Sequence, residues 1–272
     1  MDASTRYESH TPAYVLFTSG STRKPKGCVV SRRALASTWY HCEQLQIRPE
    51  SNVLQFASYC FGVSLIEIYC TLSAGGTNCI PSEDEKLNNL RGAINGRQVS
   101  WALLTPSKVN AIDPEALATL QKLIMAGEAL GIQQLQRLAT RVQLLQGYGL
   151  TEWAEICCVS CPLDLQADCT SIGRPMTAHL WLADPSDHII PARSGEIAEL
   201  LIAGSSMAHG YLDDANRTAA AFIKTPHWIE ALGSDCKLVY RTGDLVQLAS
   251  DGSLLYIGRK DRLVKIRGSE CS

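Results

Sequence analysis

Residues 101–104, 123–125 and 143–145 are short apolar runs, and stretches with helical spacing stand between them. Short strands alternating with helices are the pattern of a mostly parallel α/β sheet. The same alternation extends back along the chain. Strands are expected at 14–17, 53–57 and 77–80, the first of them buried. Residues 33–44 carry few breakers and are expected to be helical. Apolar positions 61, 65, 66, 68, 69 and 72 follow helical rather than alternating spacing, and Gly75-Gly76 stops that helix. Further helices are expected around Lys108 and over 132–140. Past about residue 165 the texture changes to β-rich runs at 196–202, 238–240 and 254–257, separated by glycine and aspartate turns. The expected organisation is an α/β part over 12–164, a small β-rich subdomain over 165–257, and a distinct segment over 258–272.

Bulk properties exclude several classes. The 272 residues carry a net charge of -2, with 46% hydrophobic and 19% charged residues. That balance gives no electrostatic case for a nucleic acid or an acidic membrane surface as partner. No apolar run approaches the length of a membrane span. The eleven cysteines are odd in number and scattered, and residues 1–13 do not read as a secretory leader. Reduced thiols in a cytoplasmic protein are therefore expected rather than disulfides. Cys158 and Cys161 have CxxC spacing without the second pair that a zinc site needs.

The most polar loop follows the first apolar run, in Tyr14-Val-Leu-Phe-Thr18-Ser-Gly20-Ser-Thr-Arg-Lys24-Pro-Lys26-Gly27. Hydroxyls, glycine amides and ammonium groups after a strand can cradle phosphate, because each donates to an anionic oxygen. A polar hairpin loop is the plainer alternative. A Walker A loop is excluded: five residues on from Gly20 stands Pro25, and Lys26 is followed by Gly27 rather than a hydroxyl. Similar polar, glycine-bearing loops are expected at 126–128, 147–152 and 241–244. Ligands of parallel sheets collect at the carboxyl ends of strands, where such loops can converge.

In order and wording, these segments resemble the signature motifs of adenylate-forming enzymes. The segments are residues 14–27, Gly147-Tyr-Gly-Leu-Thr-Glu152, Gly195-Glu196, Gly204, His209-Gly-Tyr-Leu212, Tyr240-Arg-Thr-Gly-Asp-Leu245, Gly258-Arg-Lys-Asp261 and Val264-Lys-Ile-Arg-Gly268. The wording is most similar to nonribosomal peptide synthetase adenylation domains. The resemblance covers residue 12 to the end and implies the amino-terminal α/β domain of that fold, with residues 258–272 as hinge and start of a carboxyl-terminal subdomain. It also implies a reaction. A carboxylic acid attacks the α-phosphorus of ATP, giving an acyl-adenylate and pyrophosphate, and the acyl group passes to the phosphopantetheine thiol of a peptidyl carrier domain. Positioning and charge neutralisation dominate such chemistry.

Motif by motif, the resemblance implies that Thr18, Ser19, Gly20, Ser21, Thr22 and Lys26 hold the departing phosphates. It implies an adenine site at Gly127, Glu128 and Tyr148, with Thr151 on the α-phosphate and Glu152 on Mg2+. Asp244 would accept from the ribose hydroxyls, Arg259 would meet the nucleotide, and Asp261 would be the hinge. The implied acid pocket is Gly62, Val63, Ile66, Leu103, Ile124, Ala126, Gly147, Glu155 and Ile156.

Three departures stand out. Arg23 replaces a usual glycine, which costs about 1 kcal/mol if the backbone there needs positive φ, or adds a guanidinium beside the triphosphate if it does not. Gly62 stands where an aspartate pairs with the α-ammonium of ordinary amino acids. That points to an anthranilate-like aryl acid, a hydroxy acid or a keto acid, and Glu155 could accept from an aryl amine. Finally, the residues stop before the family's carboxyl-terminal catalytic lysine and start just ahead of the phosphate loop, so a fragment truncated at both ends and of little adenylating activity is expected. A non-catalytic remnant and an acyl-CoA ligase for an aryl acid are the alternatives.

Overall fold

The computed structural model describes residues 9–18, 25–38, 43–112 and 117–260, together with the backbone of a short antiparallel pair, Val264–Ile266 with Ser269–Cys271. The parallel part of the main sheet comprises β3 (Asn52–Leu54), β4 (Thr77–Cys79), β5 (Trp101–Leu104), β6 (Lys122–Ala126) and β7 (Gln143–Leu150), in spatial order β4-β3-β5-β6-β7. Every residue of β5 and β6 is buried, because both sheet faces are covered. Alternation divides them: Ala102, Leu104, Leu123 and Met125 pack on one face, and Trp101, Leu103, Ile124 and Ala126 on the other.

Antiparallel strands extend this sheet: β8 (Glu155–Val159), β9 (Ser171–Pro175), β10 (His179–Ala183), β11 (Ala198–Ala203), β14 (Leu238–Leu248) and β15 (Leu254–Arg259). The path runs from β7 through β8, β9, β15, β14 and β11 to β10, with β13 (Phe222–Lys224) alongside β14. A change from parallel to antiparallel pairing therefore occurs at β7–β8, inside the Gly147–Glu152 motif.

Four details differ from the sequence expectations. The first apolar run is a strand, β1 (Pro12–Thr18), but it is not buried: Phe17 is 61% exposed. It forms an antiparallel pair with β2 (Lys26–Ser31), and β12 (Gly210–Tyr211) completes that small sheet. Residues 147–150 extend β7 instead of forming a loop, since Tyr148 pairs with Cys158 in register. Residues 241–244 likewise belong to β14. The helix expected over 61–72 runs from Val63 to Ser73 but passes through a π-turn at Ile66–Cys70, a local widening that recurs at functional sites.

Candidate functional site

Three elements meet around Glu152. The β7–β8 connection is a single 3-10 turn, Thr151–Trp153, which places Glu152 almost fully buried. Lys26 opens β2, and its Nζ lies 2.8 Å from Glu152 Oε1. Tyr211 of β12 donates its hydroxyl to the same oxygen at 2.7 Å, and the Lys26 ammonium lies 5.0 Å from the Tyr211 ring centroid. The backbone fixes this trio: Tyr211 pairs with Cys28 across β2, and Ala208 N–H donates to the Glu152 carbonyl. Desolvation pushes the Glu152 carboxyl up, but the Lys26 charge and hydrogen bonds outweigh it and hold its pKa below the ordinary carboxylate range. Thr151 accepts the Cys28 thiol hydrogen at its carbonyl.

The second cluster centres on Asp244. Asp244 and Arg259 are register partners in β14 and β15, joined by a 3.1 Å ion pair. The Tyr148 hydroxyl donates to Asp244 Oδ2 at 2.5 Å, and burial together with that carboxylate raises the Tyr148 pKa well above normal. Gly243, at φ 71°, makes the bend that lets Asp244 N–H reach Thr242 Oγ1. Tyr148 and Glu152 sit on the same strand end, so the two clusters are neighbours through β7. Tyr240 stands between them, its phenol raised by burial and by the Glu152 charge.

Beside them is a cavity of about 510 Å³, lined by Phe56, Ala57, Phe61, Val63, Leu103, Ala126 and Gly127 among others. Gly127 takes φ 83° directly after β6, and Glu128 then accepts from both the backbone and the hydroxyl of Ser107. Ile66, Leu103, Ile124, Ala126 and Ile156 share one apolar cluster with Val63 against it. Gly147 keeps the wall thin, since a β-carbon there would stand 3.2 Å from Ile124 and 3.6 Å from Ala126. Glu155 is buried against Gly62. Thr18, Lys26, Thr151, Glu152, Tyr148, Asp244 and Arg259 thus gather in two adjoining clusters and at the adjoining end of β1. The implied pocket residues gather around the cavity and the core beneath it. Ser19, Gly20, Ser21, Thr22, Arg23 and Asp261 lie outside the described residues. The hydroxyl oxygen of Thr18 is buried with no hydrogen-bond partner among the described residues.

Two contributors were not anticipated. Tyr211 lies within a quoted motif, yet nothing local announces its bond to Glu152. Glu67, fully buried within the π-turn, accepts from Phe56 N–H, Ala57 N–H and Gln55 Nε2 at 3.1–3.2 Å. It pins the segment that lines the cavity. A lone carboxylate inside an otherwise apolar run was the available signal. Burial pushes its pKa up to about 8 against those three donors.

One buried carboxylate held ionised beside a lysine and a threonine suits a hard divalent cation that draws its remaining ligands from substrate phosphates and water. Among the described residues no cluster of three metal-ligating side chains occurs. No helix among them is long and apolar enough to cross a membrane.

Comparisons with known proteins bear on the family and the fold. The family model described as AMP-binding enzyme matches residues 2–212. The chain is 54% identical over 256 residues to the nonribosomal peptide synthetase penN of Penicillium thymicola, covering 94% of this chain and 9% of that protein. Among solved structures it resembles NpsA-ThdA, an artificially fused adenylation–PCP di-domain from Klebsiella oxytoca, with a TM-score of 0.84, 26% identity, and 97% and 54% of the two chains covered. It equally resembles the Vibrio cholerae adenylation domain AlmE, solved with glycyl-adenosine-5'-phosphate, with a TM-score of 0.83, 26% identity, and coverage of 97% and 51%. The chain therefore spans about a tenth of the length of the curated synthetase relatives and about half of the solved chains. With its sheet, its motif clusters and a family match over most of its length in accord, the chain belongs to the AMP-binding enzyme family.

Proposed function

We propose that this chain forms the nucleotide- and acid-binding part of a nonribosomal peptide synthetase adenylation domain, acting in secondary metabolite biosynthesis. The observation that carries the reading is the joining, along one strand end, of the Lys26–Glu152 pair to the Tyr148–Asp244–Arg259 cluster beside an apolar cavity. Lys26 and the loop after Thr18 take the β- and γ-phosphates of ATP, and Thr151 meets the α-phosphate. Asp244 exchanges its present partners for the ribose hydroxyls, which a carboxylate can accept on both oxygens. Tyr148, with Gly127 and Glu128, forms the adenine wall. Glu152 holds Mg2+, which when bound offsets the charge on the phosphates. Arg259, released from Asp244, meets the nucleotide, and Asp261 acts as the hinge. The parts divide at 12–164, 165–257 and 258–272.

The acid enters the cavity walled by Val63, Leu103 and Ala126, with Ile66, Ile124 and Ile156 in the apolar core that those walls belong to and Gly147 against it. Its flat, apolar character suits an aryl acid such as anthranilate, with a hydroxy acid as the second reading. The activated acyl group then passes to a carrier-bound phosphopantetheine, as the adenylation–PCP neighbour suggests. Calorimetric titration with Mg·ATP tests the reading. Saturable binding that Asp244→Ala abolishes is expected, and an absence of nucleotide binding would overturn it.

A further inference from the structure

Tyr211 and Lys26 both donate to Oε1 of Glu152, at 2.7 and 2.8 Å. Among the described residues no other side chain donates to this carboxylate, so Oε2 is left open. With two donors on one oxygen, the carboxyl group can turn only by giving up both bonds, and Oε2 keeps one direction.

The two donors are held with very different firmness. Tyr211 is buried and fixed from several sides. It pairs with Cys28 across β2, its N–H donates to Thr218 Oγ1 at 2.9 Å, and its ring meets Phe222 edge-on at 5.7 Å. Gly210 lets Thr218 come this close, since a β-carbon there would stand 2.4 Å from Thr218 Cγ2. Lys26 instead reaches Glu152 through a four-carbon stem, and 18% of its side chain is exposed. Thr18 stands opposite it in register, where the polar loop begins, and the buried Thr18 hydroxyl oxygen has no hydrogen-bond partner among the described residues. Lys26 therefore has a second place to donate. Tyr211, closed in by Thr218 and Phe222, does not.

A buried carboxylate that loses its cation is costly unless another donor or charge holds it. Once Lys26 turns to a triphosphate, the Tyr211 bond is the one that remains on Oε1. Resting on the nucleotide reading above, we infer that Tyr211 is a positioning residue whose hydroxyl holds Glu152 Oε1 while Lys26 transfers to the ATP phosphates, keeping Oε2 available to Mg2+. The lysine serves the phosphates and the tyrosine serves the metal-binding carboxylate.

ATP titrated calorimetrically into this chain, once in EDTA and once in Mg2+, gives a ratio of affinities that isolates the share owed to the metal. A ratio within one variant is insensitive to partial loss of folded protein. Tyr211→Phe keeps the ring and its packing, and is expected to lower the ratio about tenfold, the size of one hydrogen bond to a charged group. Affinity in EDTA should stay within about twofold, whereas a merely structural tyrosine would weaken ATP alike in both conditions. Lys26→Met is expected to do the reverse, weakening ATP in EDTA about tenfold and leaving the ratio within about threefold. In a Glu152→Gln background Tyr211→Phe should change nothing further, because the tyrosine acts through that carboxylate. A ratio unchanged by Tyr211→Phe, or one that Lys26→Met removes, overturns the inference, so each variant tests it even where the other does not fold. If ATP fails to bind in either condition, the nucleotide reading falls and this inference with it. If ATP binds and the parent ratio is near one, or Tyr211→Phe spares it, only the role of Tyr211 falls.

Discussion

Lys26 and Glu152, 126 residues apart, meet as a 2.8 Å ion pair whose carboxylate side is 5% exposed. A buried charge deprived of its partner is expensive, so Lys26→Met is expected to destabilise the fold by about 3–5 kcal/mol. Glu152→Gln in the same protein removes the orphaned charge, and the double variant should recover most of the loss. Urea denaturation of the three proteins checks this. A double variant no more stable than Lys26→Met would show that the pair is not the source of the effect. The Glu152 pKa is depressed, so its stabilising contribution is present above the unfolded carboxylate pKa and is lost as pH falls through the folded value.

Asp244 is the acceptor for both Tyr148 and Arg259. Replacing it by Asn keeps the shape but turns one acceptor into a donor, facing a phenol and a guanidinium. Asp244→Asn is expected to weaken ATP binding about tenfold or more, consistent with the loss of one or two charge-assisted hydrogen bonds. Titration calorimetry of ATP against both proteins reads this directly. Unchanged affinity would remove Asp244 from the ribose site.

Glu67 gives the fold a pH dependence of opposite sign to that of Glu152. Its pKa is raised from 4.5 to about 8, with burial as the first cause. Between those values the folded state holds a proton that the unfolded state has released, so stability falls as pH rises from about 5 to about 8 and levels off above. Urea midpoints across that range should decline for the parent protein and decline less for Glu67→Gln, whose neutral amide can still accept from Phe56 and Ala57. Parallel pH profiles for the two proteins would show that Glu67 is ionised throughout.

Legibility in the sequence followed how local the determining physics is. Trp101–Leu104 and Lys122–Ala126 were readable because both sheet faces are covered, leaving continuous apolar runs. The glycine-rich Gly147–Leu150 looked like a loop by composition, yet pairing with β8 makes it strand. Phe17 stands in an equally apolar run and is exposed, since β1 pairs only with β2 and lies outside the main sheet. The motif residues Lys26, Glu152, Tyr148 and Asp244 could be singled out by wording alone. The bond from Tyr211 to Glu152 could not, because a contact across 59 residues leaves no local trace. The fit of Glu155 into Gly62 was invisible for the same reason: it depends on the bulged β7–β8 turn bringing two distant segments together.

Two glycines separate conformational freedom from space. Gly96 ends the helix Leu90–Gly96, and a β-carbon there would meet nothing within 4 Å. Gly96→Ala is expected to stabilise the protein by about 0.5–1 kcal/mol, because it removes backbone freedom from the unfolded chain at a position that accommodates the methyl group. Gly149→Ala offers no such room, since its β-carbon would stand 1.4 Å from the Glu155 carbonyl oxygen and 2.7 Å from the Ile156 α-carbon. Both are backbone atoms, so relief requires the β7–β8 ladder to part. A loss of about 3 kcal/mol or more is expected. Thermal unfolding of the two variants beside the parent checks the pair. Opposite shifts support the close approach of these strands, and a Gly149→Ala protein as stable as its parent would show that Glu155, whose backbone takes φ 96°, is not held this close to Gly149.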